Sequence, residues 1–187
     1  LYGDLEPIIL AEKPPGRMPI DTRLFPEDEL PNLYRGVKKY VDQGRQAYIV
    51  YPLIEESEKI SWASVMADYN MLERDIFPEY KLGLLHGRLS SEEKDRAMEK
   101  FKSGVIQILV TTTVIEVGVD VPNATVMLIR NAEKFGLSQL HQLRGRVGRG
   151  KHQSFCILVK SPKITSEGEQ RLDAMIKSED GFYLAQK

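Results

Sequence analysis

Short runs of apolar and β-branched residues alternate along the chain with segments that repeat apolar residues at helical spacing. The runs predict six strands, at 22–25, 47–54, 81–85, 106–110, 125–129 and 154–159. They lack a strict alternation of apolar and polar residues, which is typical of strands covered on both faces. The regular alternation of strand and helix therefore predicts an α/β fold, with a mostly parallel sheet flanked by helices on both faces. In such a sheet, ligands are expected at the carboxyl ends of the strands.

Five helices are predicted between and after these strands. Their inward-facing apolar residues are Leu33, Val37 and Val41; Trp62, Val65, Met66, Tyr69 and Leu72; Ala97, Met98 and Phe101; Leu140, Leu143 and Val147; and Leu172, Met175 and Ile176. Ser90 and Glu93 have the spacing of a capping box, which predicts that the third helix begins there, and Gly104 is expected to end it. The last helix is expected to begin near Ser166.

Composition places the chain among globular domains. Its 187 residues are 42% hydrophobic, with 26 Lys and Arg against 27 Asp and Glu. This balance argues against a polybasic protein, so any phosphate binding must come from a local patch. The single Cys156 lies in a predicted strand and fits a reducing compartment. No apolar run approaches the roughly 18 residues of a membrane span, and the chain does not begin with Met, so we expect a cytoplasmic fragment of a longer protein.

The first candidate site is the stretch 142–150, Gln-Leu-Arg-Gly-Arg-Val-Gly-Arg-Gly. Glycine is costly in a helix, so its repetition needs a reason. Arg146 and Arg149 are expected to share one helix face, while Gly145 and Gly148 would allow close approach of a backbone or a phosphate. Guanidinium groups bind phosphate bidentately and stay charged, as stabilisation of a transferring phosphoryl group requires. The alternative is a solvated basic face that ends in a glycine cap.

The second candidate is the segment 110–122, which begins at the end of a predicted strand. Hydroxyls at this position, such as those of Thr111 and Thr112, can hold phosphate oxygens of a nucleic-acid strand. Gly118 and Asp120 could bring a carboxylate to a ribose hydroxyl. The alternative is a threonine-rich strand end followed by an ordinary turn.

A third, weaker candidate is the turn at His86 and Arg88, which also follows a strand, although His86 could equally be a satisfied histidine. Other chemistry is absent from the sequence. It contains no Cys/His cluster for zinc, no G-x-S-x-G element and no G-x-x-x-x-G-K-[ST] loop. The arginines are therefore expected to form only half of a phosphate site.

With these residues identified, the chain resembles the second RecA-like domain of superfamily 2 helicases, and within them the bacterial RecG family. The resemblance rests on the segments 1–5, 51–57, 85–90, 112–122 and 135–150. It implies a RecA-like fold of the P-loop NTPase type. The Mfd-type translocases share the arginine element of 135–149, whereas Tyr-Pro-Leu-Ile-Glu-Glu-Ser at 51–57 and Gly150 look like RecG. One departure is Arg130, where an acidic residue is expected.

The resemblance also implies roles for the candidate residues. Arg146 and Arg149, with Gln142 nearby, would reach the ATP γ-phosphate from across a cleft between two motor domains. Gly118 and Asp120 would face the ribose region of the nucleotide. The DNA backbone would be held by Thr112 and Thr111, and less specifically by His86 and Arg88.

For the whole protein, the resemblance implies an ATP-dependent helicase that remodels replication forks and Holliday junctions. ATP and Mg²⁺ would bind mainly to a first motor domain, which together with a wedge domain would be this chain's partner. Residues 1–22 would be a linker, 23–162 the RecA-like domain and 163–187 a helical segment leading toward a translocation motif. We expect no membrane partner, no resident metal site and no ATPase activity of the chain alone. The alternative to a motor is a non-catalytic RecA-like binding module.

Overall fold

The computed structural model describes residues 19–52, 58–112 and 120–178, with only the backbone of 58–61. Six strands occur in these ranges: β1 Asp21–Pro26, β2 Gln46–Val50, β3 Leu82–Leu85, β4 Ile108–Thr111, β5 Ala124–Ile129 and β6 Phe155–Lys160. Five α-helices connect or follow them: α1 Leu30–Asp42, α2 Glu58–Met71, α3 Ser91–Lys102, α4 Leu137–Arg144 and α5 Ser166–Lys177. The six predicted strands are confirmed, with shifts of a few residues at their ends.

All six strands run parallel in one sheet, in the order β1-β6-β5-β2-β4-β3. Parallel neighbours need crossover connections, and helices α1 to α4 lie in four of them: between β1 and β2, β2 and β3, β3 and β4, and β5 and β6. The RecA-like α/β sandwich expected from the sequence is therefore confirmed.

Two hydrophobic cores cover the two faces of the sheet. Successive side chains of β2 show the division, since Tyr48 and Val50 lie in the core under α3, α4 and α5, whereas Ala47 and Ile49 lie in the core under α1 and α2. This alternation is what a pleated strand requires when both of its faces are buried. The uninterrupted apolar character of the strands has the same cause.

The helix ends follow local chemistry. At the start of α3, the Ser90 hydroxyl accepts a hydrogen bond from Glu93 N at 3.2 Å, and the Glu93 carboxylate accepts one from Ser90 N at 3.1 Å, which confirms the capping box. Gly104 follows the helix with a φ of 88°. Helix α5 begins with Thr165 as its N-cap, at 3.0 Å from Gly168 N.

The segments predicted to flank the central domain, 1–22 and 163–187, both contribute residues to the folded unit. Strand β1 begins at Asp21, so the boundary expected at residue 22 falls inside this strand. The helix expected within 163–187 is present as α5, and its Leu172 and Met175 belong to the core of the sheet. Residues 1–18 of the predicted linker lie outside the described residues. Among the helices of the described ranges, none is both long and apolar enough to cross a membrane.

Candidate functional site

The candidate residues divide between opposite edges of the sheet. His86 and Thr112 directly follow the carboxyl ends of β3 and β4. Arg146 and Arg149 instead lie in a loop, residues 145–150, beside the amino ends of other strands. Its Gly148 N donates to the Ser154 hydroxyl, directly before β6, at 2.9 Å. The arginines therefore do not lie at the carboxyl ends of the strands, where the sequence analysis expects ligands to bind.

The loop 145–150 is not helical. Helix α4 ends at Arg144 with Gly145 as its C-cap, and two turn hydrogen bonds follow, from Arg146 N to Leu143 O at 3.0 Å and from Val147 N to Arg144 O at 3.2 Å. Gly148 then has a φ of 83°, in the left-handed region. The prediction that the helix continues through Val147 is therefore wrong, and so is the prediction that Arg146 and Arg149 share a helix face.

The glycines of this loop make room for the protein itself. A Cβ at Gly148 would lie 2.7 Å from Ile20 Cγ1, and one at Gly150 would lie 2.6 Å from Pro122 O. A Cβ at Gly145 would meet only ordinary contacts at 3.4 Å. Gly148 and Gly150 thus allow the loop to pack closely against Ile20 and Pro122, just before β1 and β5, whereas the sequence had suggested Gly145 and Gly148 as sites of close approach.

Arg149 is exposed and faces Asp120, so the two candidate segments meet at this edge. Its Nη1 lies 3.8 Å from Asp120 Oδ1, and its Nε donates to Gly145 O at 3.1 Å. The two side chains are 48% and 57% exposed. An exposed pair of this kind stabilises by at most about 1 kcal/mol. Another anion can therefore replace Asp120 beside the Arg149 guanidinium at little cost in free energy.

Arg146 is only 8% exposed, whereas Gln142 is exposed on α4. Arg146, Arg149 and Asp120 all lie close enough to Tyr48 to affect its ionisation. Burial raises the pKa of the Tyr48 hydroxyl to about 12, against the opposing effect of the two arginines and with a smaller contribution from Asp120. Tyr48 is consequently a neutral hydroxyl beneath a cluster of charged groups.

Arg144, the other arginine of the stretch, is structural. It is buried, and its guanidinium donates to Met175 O at 3.2 Å and to the Ser178 hydroxyl at 3.2 Å, with Thr22 Oγ1 at 3.3 Å and His141 Nδ1 at 3.0 Å. These contacts tie α4 to α5 and β1. The loop 145–150 therefore starts from a fixed point.

At the carboxyl edge, Thr111 and Thr112 are both buried. Thr112 N donates to Leu85 O at 3.2 Å, which brings the end of β4 beside the end of β3. The Thr112 hydroxyl is buried and has no hydrogen-bond partner among the described residues. A buried hydroxyl without a partner costs about 1–3 kcal/mol. Gly118 lies outside the described residues.

His86 and Arg88 also lie at this edge, where they contact Trp62, a residue that sequence reasoning did not place in the site. The Trp62 ring of α2 lies 4.2 Å from the His86 ring, and the Arg88 guanidinium lies 5.2 Å from the Trp62 ring centre. Burial lowers the pKa of His86. Trp62 appeared in the sequence only as one member of an apolar helix stripe.

Arg130, which stands where an acidic residue was expected, is held in a polar cluster after β5. Its Nη2 lies 3.1 Å from Glu27 Oε1, and its Nη1 donates to the hydroxyls of Tyr34 at 3.1 Å and Tyr51 at 3.3 Å. Burial raises the pKa of both tyrosines. The charge reversal is thus compensated by Glu27. Within the described ranges, no group of three or more metal-ligating side chains occurs.

Comparison with known proteins identifies the family of the chain. The sequence model of the family described as "Helicase conserved C-terminal domain" matches residues 29–151. Proteins named ATP-dependent DNA helicase RecG are 54% identical in Synechocystis over 186 residues and 52% identical in Thermotoga maritima over 185 residues, covering 100% and 99% of this chain. The chain spans 22% and 24% of the length of these two relatives.

Solved structures give the same result. A structure described as RecG bound to a three-way DNA junction is 49% identical, with a TM-score of 0.78 over 94% of this chain and 22% of that one. The S. cerevisiae protein Dbp5 bound to RNA and ADP BeF3 shares the fold alone, with a TM-score of 0.58 at 18% identity over 87% of this chain and 39% of that one. The resemblance to RecG is confirmed, and the chain belongs to the helicase conserved C-terminal domain family.

Proposed function

We propose that this chain is the second motor domain of an ATP-dependent DNA helicase that remodels branched DNA, replication forks and Holliday junctions in the bacterial cytoplasm. The observation that carries the proposal is the contact between Arg149 and Asp120. It brings the arginine segment and the end of the threonine segment to one open place at the amino edge of the sheet. The relatives' names and the junction-bound neighbour support DNA as the substrate.

In this proposal Arg149 acts as an arginine finger, with Arg146 and Gln142 beside it. ATP, bound mainly by a first motor domain together with Mg²⁺, supplies the γ-phosphate whose transfer drives the motor. A guanidinium group lowers the barrier to this transfer because it stabilises the charge on the phosphoryl oxygens. The Arg149 side chain fits this role since it is exposed and only weakly paired. Asp120, with Gly118, would face the ribose.

The carboxyl edge would hold the DNA. The candidate residues lie at the carboxyl ends of β3 and β4, at the opposite edge of the sheet from Arg146 and Arg149. They are Thr111, Thr112, His86 and Arg88. Contacts of hydroxyls and a guanidinium with phosphate fix the position of a strand without reading its sequence. A motor that steps along any sequence needs this kind of contact. The first motor domain and a wedge domain of the same protein would complete the DNA path.

The test is Arg149→Ala in a polypeptide that joins this chain to a first motor domain carrying the P-loop. We expect the ATPase rate to fall by about 10³- to 10⁵-fold, the contribution of an arginine finger, while affinity for a branched DNA stays within about twofold. Arg74→Ala is the matched control, since Arg74 is also exposed and paired with an aspartate, Asp75, at 3.2 Å. Normal turnover by the Arg149 variant would overturn the proposal.

The chain by itself offers a second test. Its sequence contains no G-x-x-x-x-G-K-[ST] loop, so we expect the purified chain to hydrolyse no ATP. We expect its DNA binding to be weak and steeply dependent on salt, because the few phosphate contacts act against a net charge of −1. Robust hydrolysis by the chain alone would contradict the division of labour between the two motor domains.

A further inference from the structure

Trp62, His86 and Arg88 form a cluster at the carboxyl end of β3. Trp62 comes from α2, whereas His86 and Arg88 come from the turn that follows the strand. The indole and imidazole rings meet at 62°, with their centres 4.2 Å apart. The indole is partly exposed and Arg88 is exposed, so the cluster lies at the surface of this edge.

The His86 ring is fixed on two sides. Its Nδ1 accepts a hydrogen bond from Arg88 N at 3.1 Å, so the proton of the neutral ring is assigned to Nε2. Burial lowers the pKa of His86, which favours the neutral ring at pH 7. Trp62 packs against the same ring. The turn that carries Arg88 is therefore held against the indole.

The Arg88 guanidinium lies 5.2 Å from the centre of the Trp62 ring, within the range of a cation–π contact. Among the described residues, no carboxylate lies within ion-pair distance of Arg88. The guanidinium is thus held against an aromatic face, and its charge remains available to an anion. A free arginine side chain loses rotamer freedom when it binds a phosphate, and contact with the indole removes part of that loss in advance.

We propose that Trp62 is a positioning residue that holds the Arg88 guanidinium for a phosphate of the DNA strand crossing this edge. The inference rests on the proposed function and adds to it a residue outside the motifs. Trp62 need not touch DNA in this arrangement. Its contribution passes through Arg88, so the effects of the two residues on DNA affinity must be coupled.

The first experiment uses the intact chain, because Trp62 is its single tryptophan. Emission from Trp62 is followed while an eight-nucleotide thymidine oligomer is added at low salt. We expect a saturable change in emission whose midpoint rises steeply with salt. Arg88→Gln should weaken binding and reduce the dependence of log Kd on log salt by about 0.7, the value of one phosphate contact to a single strand. Arg74→Gln, at a separate exposed arginine, should change neither quantity.

The second experiment measures affinity for the labelled oligomer by fluorescence anisotropy. Trp62→Leu should weaken binding about two- to fivefold, while Trp62→Phe, which keeps an aromatic face, should weaken it less. In an Arg88→Gln background, Trp62→Leu should have no further effect. Thermal unfolding of each variant is measured alongside the affinity. If Trp62→Leu loses stability, the affinity of Trp62→Phe is compared with that of the unaltered chain instead.

The outcomes separate this inference from the proposed function. If the unaltered chain binds the oligomer but Trp62→Leu binds equally well, the positioning role is wrong and the proposed function stands. If the effects of Trp62→Leu and Arg88→Gln add independently, Trp62 does not act through Arg88 and the inference is also overturned. If the unaltered chain shows no salt-dependent binding at any concentration, both the DNA-binding edge and the role of Trp62 fail together.

Discussion

Alanine at Gly148 tests whether the loop that carries Arg149 is held by close packing. Gly148 has a φ of 83°, and an added Cβ would lie 2.7 Å from Ile20 Cγ1 and 2.9 Å from Ile20 Cδ1. The left-handed conformation costs an alanine about 1–2 kcal/mol. Overpacking against Ile20 adds about 1–3 kcal/mol. We therefore expect Gly148→Ala to lower the free energy of unfolding by about 2–5 kcal/mol, the sum of these two costs.

The chain offers a matched control at Gly44. This residue also has a positive φ, 90°, but a Cβ there would meet nothing within 4 Å. Gly44→Ala should therefore cost only the conformational part, about 1–2 kcal/mol. The difference between the two alanine variants isolates the contact with Ile20.

Urea unfolding of the two variants and the unaltered chain supplies the measurement. A double variant, Gly148→Ala with Ile20→Ala, should be more stable than the sum of its single changes predicts, because the clash is removed. Equal destabilisation by Gly148→Ala and Gly44→Ala, together with simple additivity in the double variant, would refute the close packing of this loop.

Three smaller predictions follow from other contacts. Ser90→Ala should lower the free energy of unfolding by about 1 kcal/mol because it removes the cap of α3. The neighbouring change Ser91→Ala should alter the free energy of unfolding little. Equal effects of the two changes in urea unfolding would contradict the capping role. Burial raises the pKa of the Cys156 thiol to about 12, so a disulfide reagent at pH 8 should react only as fast as the chain unfolds; rapid reaction with the native chain would be inconsistent with this burial. Burial lowers the pKa of His86, so the folded chain binds fewer protons there than the unfolded chain. The free energy of unfolding, relative to that of His86→Gln, should therefore fall as pH drops below about 6.5. A difference between the two proteins that stays constant from pH 8 to pH 5 would exclude this.

The sheet and most helices were predictable because their signals are local. Apolar runs mark the buried strands, and the hydroxyl of Ser90 with the carboxylate of Glu93 marks the start of α3 wherever the rest of the chain lies. The family resemblance was equally readable, since its motifs are contiguous segments. Periodicity was less reliable at the end of α4. Val147 keeps the helical spacing and is buried, yet it lies in a turn closed by its hydrogen bond to Arg144 O, beyond the end of the helix.

The arrangement of the site depended on contacts that sequence spacing does not reveal. The cluster of Arg130 joins Glu27, Tyr34 and Tyr51, which lie 79 to 103 residues away along the chain. The position of Trp62 against His86 likewise depends on how α2 packs beside β3. The arginines were expected at the carboxyl ends of the strands, because an open parallel sheet usually binds its own ligands there. The loop 145–150 lies instead at the amino edge of the sheet.

The division of the candidate residues between two edges bears on how a motor of this kind would work. Thr112 at the carboxyl edge is bonded to Leu85 O, while Asp120 at the amino edge faces Arg149. Only the seven residues 113–119 separate them in the sequence. In the proposed motor, a phosphate that drew Arg149 away from Asp120 would act at one end of this stretch of sequence, and Thr112 lies at its other end. Since the pair is exposed and contributes at most about 1 kcal/mol, exchange of Asp120 for a phosphate would be inexpensive and reversible, as the proposed ATPase cycle requires. A buried ion pair at the same place would cost several kcal/mol to separate and would lock the two edges in one state.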